Sequence, residues 1–361
     1  MDQGAAPAQD DVAGRVVTRV WRDGDLILPD CPAELVPDFL DEDGHLVWVD
    51  LCEPTHDQLV RLEQELALDP LAIEDAVANL ERTKAIRYGR YTVLTAYATY
   101  LDPVEAETAT KVAVRSRRNR TDEDLPPGSV LRLDRLSMFL LPRGVVTIRR
   151  HPGFDIQEVI ARTENNADLL KHGAGALVHS LLDVIVDSHF DAVQALDDAM
   201  EKLEDGLFDN EARTIVVQRR TYQLRKDLVE LRRVTLPMRE VVNGVLRHRR
   251  ESNAPTDLNS LYDDLYDHVL RVAEWTESLR DMVTTIFETN LSLQDARLNT
   301  VMKKLTAWAA VIAVPTAITG YFGQNVPYPG FGQNWGFALS AASIVIIASA
   351  LYMLFRRKEW L

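Results

Sequence analysis

The apolar residues of this chain follow three patterns. At the C-terminal end, Leu305–Phe322 (LTAWAAVIAVPTAITGYF) and Trp335–Phe355 (WGFALSAASIVIIASALYMLF) run without an ionisable side chain. As helices, runs of roughly 18 and 21 residues reach across a bilayer core. Between Gly175 and the first of these runs the spacing is helical. Leu177, Leu181, Leu182, Ile185, Val186, Phe190 and Val193 recur on one face. Before residue 170 the runs are shorter. VVTRVW, HLVWVDL and YTVLTAYATYL combine β-branched and aromatic residues with partial alternation, which predicts strands. LSMFLLPRGVVTIRRH predicts two more, around Pro142-Arg143-Gly144. In the segment after the second strand, Leu59, Leu62, Leu66, Leu71, Ile73 and Val77 keep helical spacing, with a break near Asp69-Pro70. Thr55, followed by Asp57 and Gln58, supplies the hydroxyl that starts this helical segment.

These patterns predict an α/β N-terminal cytosolic domain over 13–170 behind a disordered lead-in at 1–12. Residues 106–128, polar with an arginine burst and Pro126-Pro127-Gly128, form a loop or hairpin insertion within it. A helical region with a long stalk follows over 171–304. Its acidic segment (Asp197 to Glu211) and arginine-rich segment (Arg213 to Arg250) suit two antiparallel helices joined near Asp209-Asn210. From Leu258 no helix breaker occurs before Pro315, so Leu258–Gly320 would make a rod on the order of 90 Å. The first span (305–322), an external loop (323–334), the second span (335–355) and a basic cytosolic tail (356–361) complete the chain.

Charge fixes the predicted topology. Lys303 and Lys304 precede the first span, Arg356, Arg357 and Lys358 follow the second, and the loop GQNVPYPGFGQN is uncharged. The positive-inside rule then places both termini in the cytoplasm of a multi-pass inner (plasma) membrane protein. The first 20 residues carry no signal-peptide pattern, and Cys31 and Cys52 are too few for a disulfide framework. A net charge of −15 argues against a nucleic-acid partner and suits cations. No nucleotide fingerprint or nucleophile–base constellation is present, so neither nucleotide binding nor enzymatic chemistry is expected.

Taken alone, Gly323-Gln324-Asn325 is a turn between spans. Spans this poor in polar residues make no pore from one chain, so transport requires several copies about an axis. A ring of Asn amides and Gly carbonyls then lines the outer mouth. Mg²⁺ dehydrates reluctantly, and neutral oxygen dipoles hold its hydrated form without trapping it.

VMKKLTAWAAVIAVPTAITGYFGQN, the terminal RRKEWL, LYDDLYDH, LVELRRVTLPMREV and HLVWVDLCEPTHDQLVRLEQELALDPLAIEDAVAN together resemble the CorA family of divalent-cation transporters, from about residue 45 to 361. The resemblance implies a funnel-shaped homopentamer, a pore lined by the first span, Mg²⁺ influx with Co²⁺ or Ni²⁺ as further substrates, and gating by cations held between protomers. Gly323 and Asn325 match the outer residues of the family's Gly-Met-Asn signature, and Gln324 stands in place of Met. An acidic loop segment of magnesium members is replaced here by Pro327-Tyr328-Pro329-Gly330. Both departures keep Zn²⁺ transport open as an alternative, and a non-conducting, membrane-anchored cation sensor is a third reading.

Carried over residue by residue, the resemblance places Asn299, Met302, Leu305 and Thr316 on the pore axis. Ala313 stands where a bulkier pore residue is usual, and Glu288 near the cytosolic mouth. Ordinary packing explains Met302 and Leu305 equally well by composition. Glu74 and Asp75 match the family's acidic pair, and Asp264 matches the stalk carboxylate they meet across the subunit boundary. Asp183 joins them more loosely. Without that context each is a solvated helix charge. His268 reads as packed or solvated. The terminal cluster Arg356-Arg357-Lys358 and Arg247, Arg249 and Arg250 suit anionic membrane lipids, the topology signal, or both.

Overall fold

The computed structural model describes residues 14–78, 81–101, 131–207, 214–251, 254, 256–324 and 326–361. The predicted lead-in, the 106–128 insertion and the Asp209-Asn210 turn lie outside them.

Seven strands form one sheet: β1 (Arg15–Arg22), β2 (Asp25–Leu28), β3 (His45–Cys52), β4 (Lys84–Tyr88), β5 (Tyr91–Leu101), β6 (Leu131–Leu141) and β7 (Gly144–Arg149). Their order is β2-β1-β3-β7-β6-β5-β4. Only β3 and β7 pair in parallel. Every residue of β3 is buried, because alternate side chains enter two different cores. Leu46 and Trp48 join one core, while Val47, Val49 and Leu51 join the other. At the β3–β7 seam Asp50 and Arg149 form a buried ion pair at 2.7 Å, and the Thr147 hydroxyl donates to Asp50 at 2.6 Å. Breaking one side of such a pair leaves an uncompensated charge in the interior.

Helices α1 (Val36–Asp41), α2 (His56–Glu65) and α3 (Pro70–Val77) lie on the second core's side. The predicted start at Thr55 is a capping box: the Gln58 amide donates to Thr55 Oγ1 at 3.4 Å, and the Thr55 amide donates to Gln58 Oε1 at 2.8 Å. The predicted break at Asp69-Pro70 is also present, since Asp69 caps α3 and Pro70 is its first residue. Leu71, assigned to the apolar face by its spacing, is instead 67% exposed. The restart of the helix at Pro70 resets the phase of that face.

Two strands escaped the sequence reading. Strand β2 follows the Asp23-Gly24 turn, where both residues have positive φ (52° and 93°). That dipeptide is a hairpin signal that could have revealed it. Strand β4 (KAIRY) is a short edge strand with no clean alternation.

The other face of the sheet is covered by α4 (Ile156–Asn165), α5 (Ala167–Leu170), α6 (Ala174–Leu207), α7 (Thr214–Glu251) and the first part of α8 (Asn259–Phe322). Leu177, Leu181, Leu182, Met238, Val241, Tyr262 and Leu265 share one core with Trp48, Leu94 and Met138. The first compact unit therefore extends to Thr284, and the predicted boundary near residue 170 falls inside it. A sheet with two apolar faces needs cover on both, and the long helices supply the second.

His189 on α6 is 1% exposed, with Nε2 2.7 Å from the Tyr97 carbonyl oxygen. Burial pushes its pKa down from 6.5 to about 4, against the pull of that carbonyl. The folded protein thus keeps His189 neutral while the unfolded chain protonates near 6.5. Stability is full above that pH and falls by about 3 kcal/mol as pH drops toward 4. Chemical denaturation of the full chain in detergent across this window should show the loss, and His189→Gln should remove most of the slope. A pH-independent wild type would contradict this assignment.

The second unit, Thr285–Leu361, contains the remainder of α8 and α9 (Asn334–Arg357). Both helices are long and apolar enough to cross a membrane, as the two predicted spans require. Pro315 lies inside α8 without ending it. Near it, Thr316 Oγ1 donates to the Ile312 carbonyl at 3.2 Å and Thr319 Oγ1 to that of Pro315 at 2.8 Å.

Candidate metal-cation sites

At the end of α8 the chain turns at Gly323, whose amide donates to the Thr319 carbonyl at 2.8 Å. A Cβ at position 323 would lie 2.8 Å from that same oxygen, so the turn requires glycine. Gln324 is exposed, and Asn325 lies outside the described residues.

What organises this loop is aromatic. Phe322 and Phe331 both pack edge-on against Tyr328, with ring centroids 5.0 and 5.3 Å away. Tyr321 adds a tilted contact to Tyr328 at 6.3 Å. Trp335 Nε1 donates to Gln333 Oε1. The backbone of Gly330 (φ 91°) approaches Gly336 so closely that a Cβ at 336 would collide with the Gly330 carbonyl. None of this was anticipated. One signal was available, since Phe-Gly-Gln-Asn occurs twice, at 322–325 and 331–334. The two phenylalanines that begin these repeats are the pair that clasp Tyr328.

Glu288, Asn299, Met302, Leu305 and Thr316 all lie on α8, and all are exposed. At 3.6 residues per turn they fall within an arc of about 120°. Met302 and Leu305 are 58% and 63% exposed, so this chain's own core does not take them up. Val301, Trp308 and Ile312, outside that arc, are exposed to a similar degree. Ala313 lies on the same arc and is also exposed. At the far end of α9, Glu359 adopts φ 57° and Trp360 stacks on Phe355 at 5.5 Å, closing the helix beside Arg356-Arg357-Lys358.

The acidic residues expected to hold a regulatory cation lie in three places of the first unit. On α3, Glu74 is exposed and Asp75 accepts from Lys84 Nζ at 2.9 Å. Lys84 also meets Glu81 at 2.6 Å. Burial works against charge on Lys84, yet the carboxylates of Glu81 and Asp75 outweigh it and raise its pKa. On α6, Asp183 meets Arg162 at 2.6 Å. Arg162 also pairs with Asp187 at 2.8 Å and Glu158 at 2.7 Å. Burial opposes its charge too, and the carboxylates of Asp187 and Asp183 hold its pKa above the ordinary value. On α8, the Asp264 side chain is 71% exposed, with His268 Nε2 at 3.9 Å. His268 packs edge-on against Phe190 at 5.8 Å. Close by, burial lowers the pKa of His179 against the pull of Asp183, and its Nε2 lies 3.1 Å from the Leu261 carbonyl.

Among the described residues of one chain, no three or more His, Cys, Asp or Glu side chains gather as a metal site. Tested as ligands, the four acidic residues divide. Glu74 and Asp264 present open carboxylates that fit a divalent ion. Asp75 shares its carboxylate with an ammonium, and Asp183 is already held by a guanidinium.

A family model described as CorA-like Mg2+ transporter protein matches residues 43–357. The cobalt/magnesium transport protein CorA of Thermotoga maritima is 30% identical over 237 residues, spanning 64% of this chain and 66% of that protein. Its namesake in Methanocaldococcus jannaschii is 23% identical over 346 residues, spanning 96% of this chain and 99% of that protein. The complete structure of the CorA magnesium transporter from Methanocaldococcus jannaschii matches the fold with a TM-score of 0.71 at 22% identity. That match covers 96% of this chain and 98% of the other. With two candidate membrane helices behind an α/β domain and a family match over most of its length, this chain belongs to the CorA-like family of divalent-cation transporters.

Proposed function

We propose that the protein is a homopentameric channel that admits Mg²⁺, with Co²⁺ and Ni²⁺ as further substrates, down the electrochemical gradient. The observation that carries this reading is the shared arc on α8, polar at Glu288, Asn299 and Thr316 and apolar at Met302 and Leu305. Five copies about an axis turn that arc into a lined pore. Gly323, Gln324 and Asn325 form its outer ring, where amide and carbonyl dipoles hold a hydrated cation in place of an acidic loop. Met302 and Leu305 form an apolar constriction that gates by dewetting. Glu288 supplies a carboxylate ring on the cytosolic side.

Both termini face the cytoplasm of the inner (plasma) membrane, with Arg356-Arg357-Lys358 against anionic lipid headgroups. An inside-negative potential drives a divalent ion inward by about 4.6 kcal/mol per 100 mV, so no nucleotide is required. In the cytosol, Asp75 and Asp264 of neighbouring subunits hold a regulatory divalent ion that favours the closed state, with Glu74 beside them. Left uncompensated, these like charges repel and bias the assembly toward opening. Asp183 contributes less, because Arg162 already holds it at 2.6 Å.

Similarity to proteins named for cobalt and magnesium transport supports Mg²⁺ and Co²⁺ as cargo. Gln324 and the acid-free loop favour Zn²⁺ as the second reading. A competition series against Mg²⁺ uptake in proteoliposomes separates them. Co²⁺ and Ni²⁺ should compete, and preferential Zn²⁺ uptake would reverse the assignment.

A further inference from the structure

Resting on the proposed regulatory site, we infer that Lys84 is a tethered counter-cation that competes with divalent ions for Asp75, and that Arg162 does the same at Asp183. The two placements are alike. Two of the four carboxylates expected to serve the gate already have a basic partner from their own chain, 2.9 Å away at Asp75 and 2.6 Å at Asp183. Neither partner dangles. The Lys84 side chain is only 14% exposed and is gripped by a second carboxylate, Glu81, at 2.6 Å. Arg162 is gripped by Glu158 and Asp187 as well. Little side-chain freedom remains to be lost, so these contacts persist at ordinary ionic strength better than those of a free surface lysine.

Two consequences follow for a divalent ion. It must share Asp75 with a fixed ammonium, so like-charge repulsion lowers the affinity of the site. Its departure also leaves Asp75 partly neutralised, which softens the repulsion that opens the gate. Asp264 is the exception. Its side chain is 71% exposed and its neighbour is His268, which carries charge only when protonated. Asp264 therefore carries most of the attraction for the regulatory ion, and Lys84 sets the concentration at which it binds.

The test uses the full-length protein in proteoliposomes, titrated with MgCl₂ at constant ionic strength. Protection from chymotrypsin is the readout, since that protease does not cleave at lysine. Lys84→Gln should lower the half-protecting Mg²⁺ concentration roughly tenfold. Lys84→Met, which keeps the apolar stem, should do the same and guards against a folding defect in the first variant. In an Asp75→Asn background the lysine substitutions should have no further effect. Wild-type midpoints in both lysine variants, with protection lost in Asp264→Ala, would overturn the inference and leave the regulatory site standing. A wild-type protein with no Mg²⁺-dependent protection would overturn both.

Discussion

Replacing Asn325 with alanine is expected to abolish divalent-cation uptake while the protein still assembles. The loop from Gly323 to Asn334 contains no charged residue, so the outer mouth has only neutral dipoles with which to attract an ion. In a pentamer, one substitution removes five side-chain amides at once. If each contributes about 1 kcal/mol as a hydrogen-bond partner of the hydrated ion, the rate should fall at least roughly a thousandfold. Assembly should survive, because the loop is built by Phe322, Tyr328, Phe331 and the Gly330–Gly336 approach. Uptake rate and size-exclusion mass, measured on one preparation, separate the two effects. Normal flux in Asn325→Ala would move the selectivity site elsewhere.

Asp264→Lys should weaken closure by excess Mg²⁺, raising the inhibitory concentration more than about tenfold or removing inhibition altogether. The exposed Asp264 side chain takes no part in the core and lies 3.9 Å from His268 Nε2, one turn away. The substitution should therefore leave folding intact while replacing an attractive charge with a repulsive one. Unchanged inhibition would reduce Asp264 to a surface charge.

These expectations draw on features of unequal legibility. The strands HLVWVDL and YTVLTAYATYL, the Thr55 cap and the two apolar helices were readable because each is a local pattern over a few residues. Strand β2 was missed although Asp23-Gly24 announced it, since four residues show too little alternation to register. The boundary expected at residue 170 had a different fault. Composition changes there, but the sheet's second face is buried by helices that come later in the chain. Along α8, the family resemblance placed Glu288, Asn299, Met302, Leu305 and Thr316 on the pore axis, and all five side chains are exposed in the single chain. The basic partners of Asp75 and Asp183 were invisible for a plainer reason. Lys84 is 9 residues from its carboxylate and Arg162 is 21 from Asp183, and only the folded chain brings them together.

The chain is expected to form a conducting path for Mg²⁺. Purified protein in proteoliposomes holding a Mg²⁺-sensitive dye, under an inside-negative potential and without nucleotide, should show saturable uptake that rises with the potential. If neither Mg²⁺ nor Zn²⁺ entered while cation binding still changed protease sensitivity, the protein would be a sensor and the transport account would be wrong.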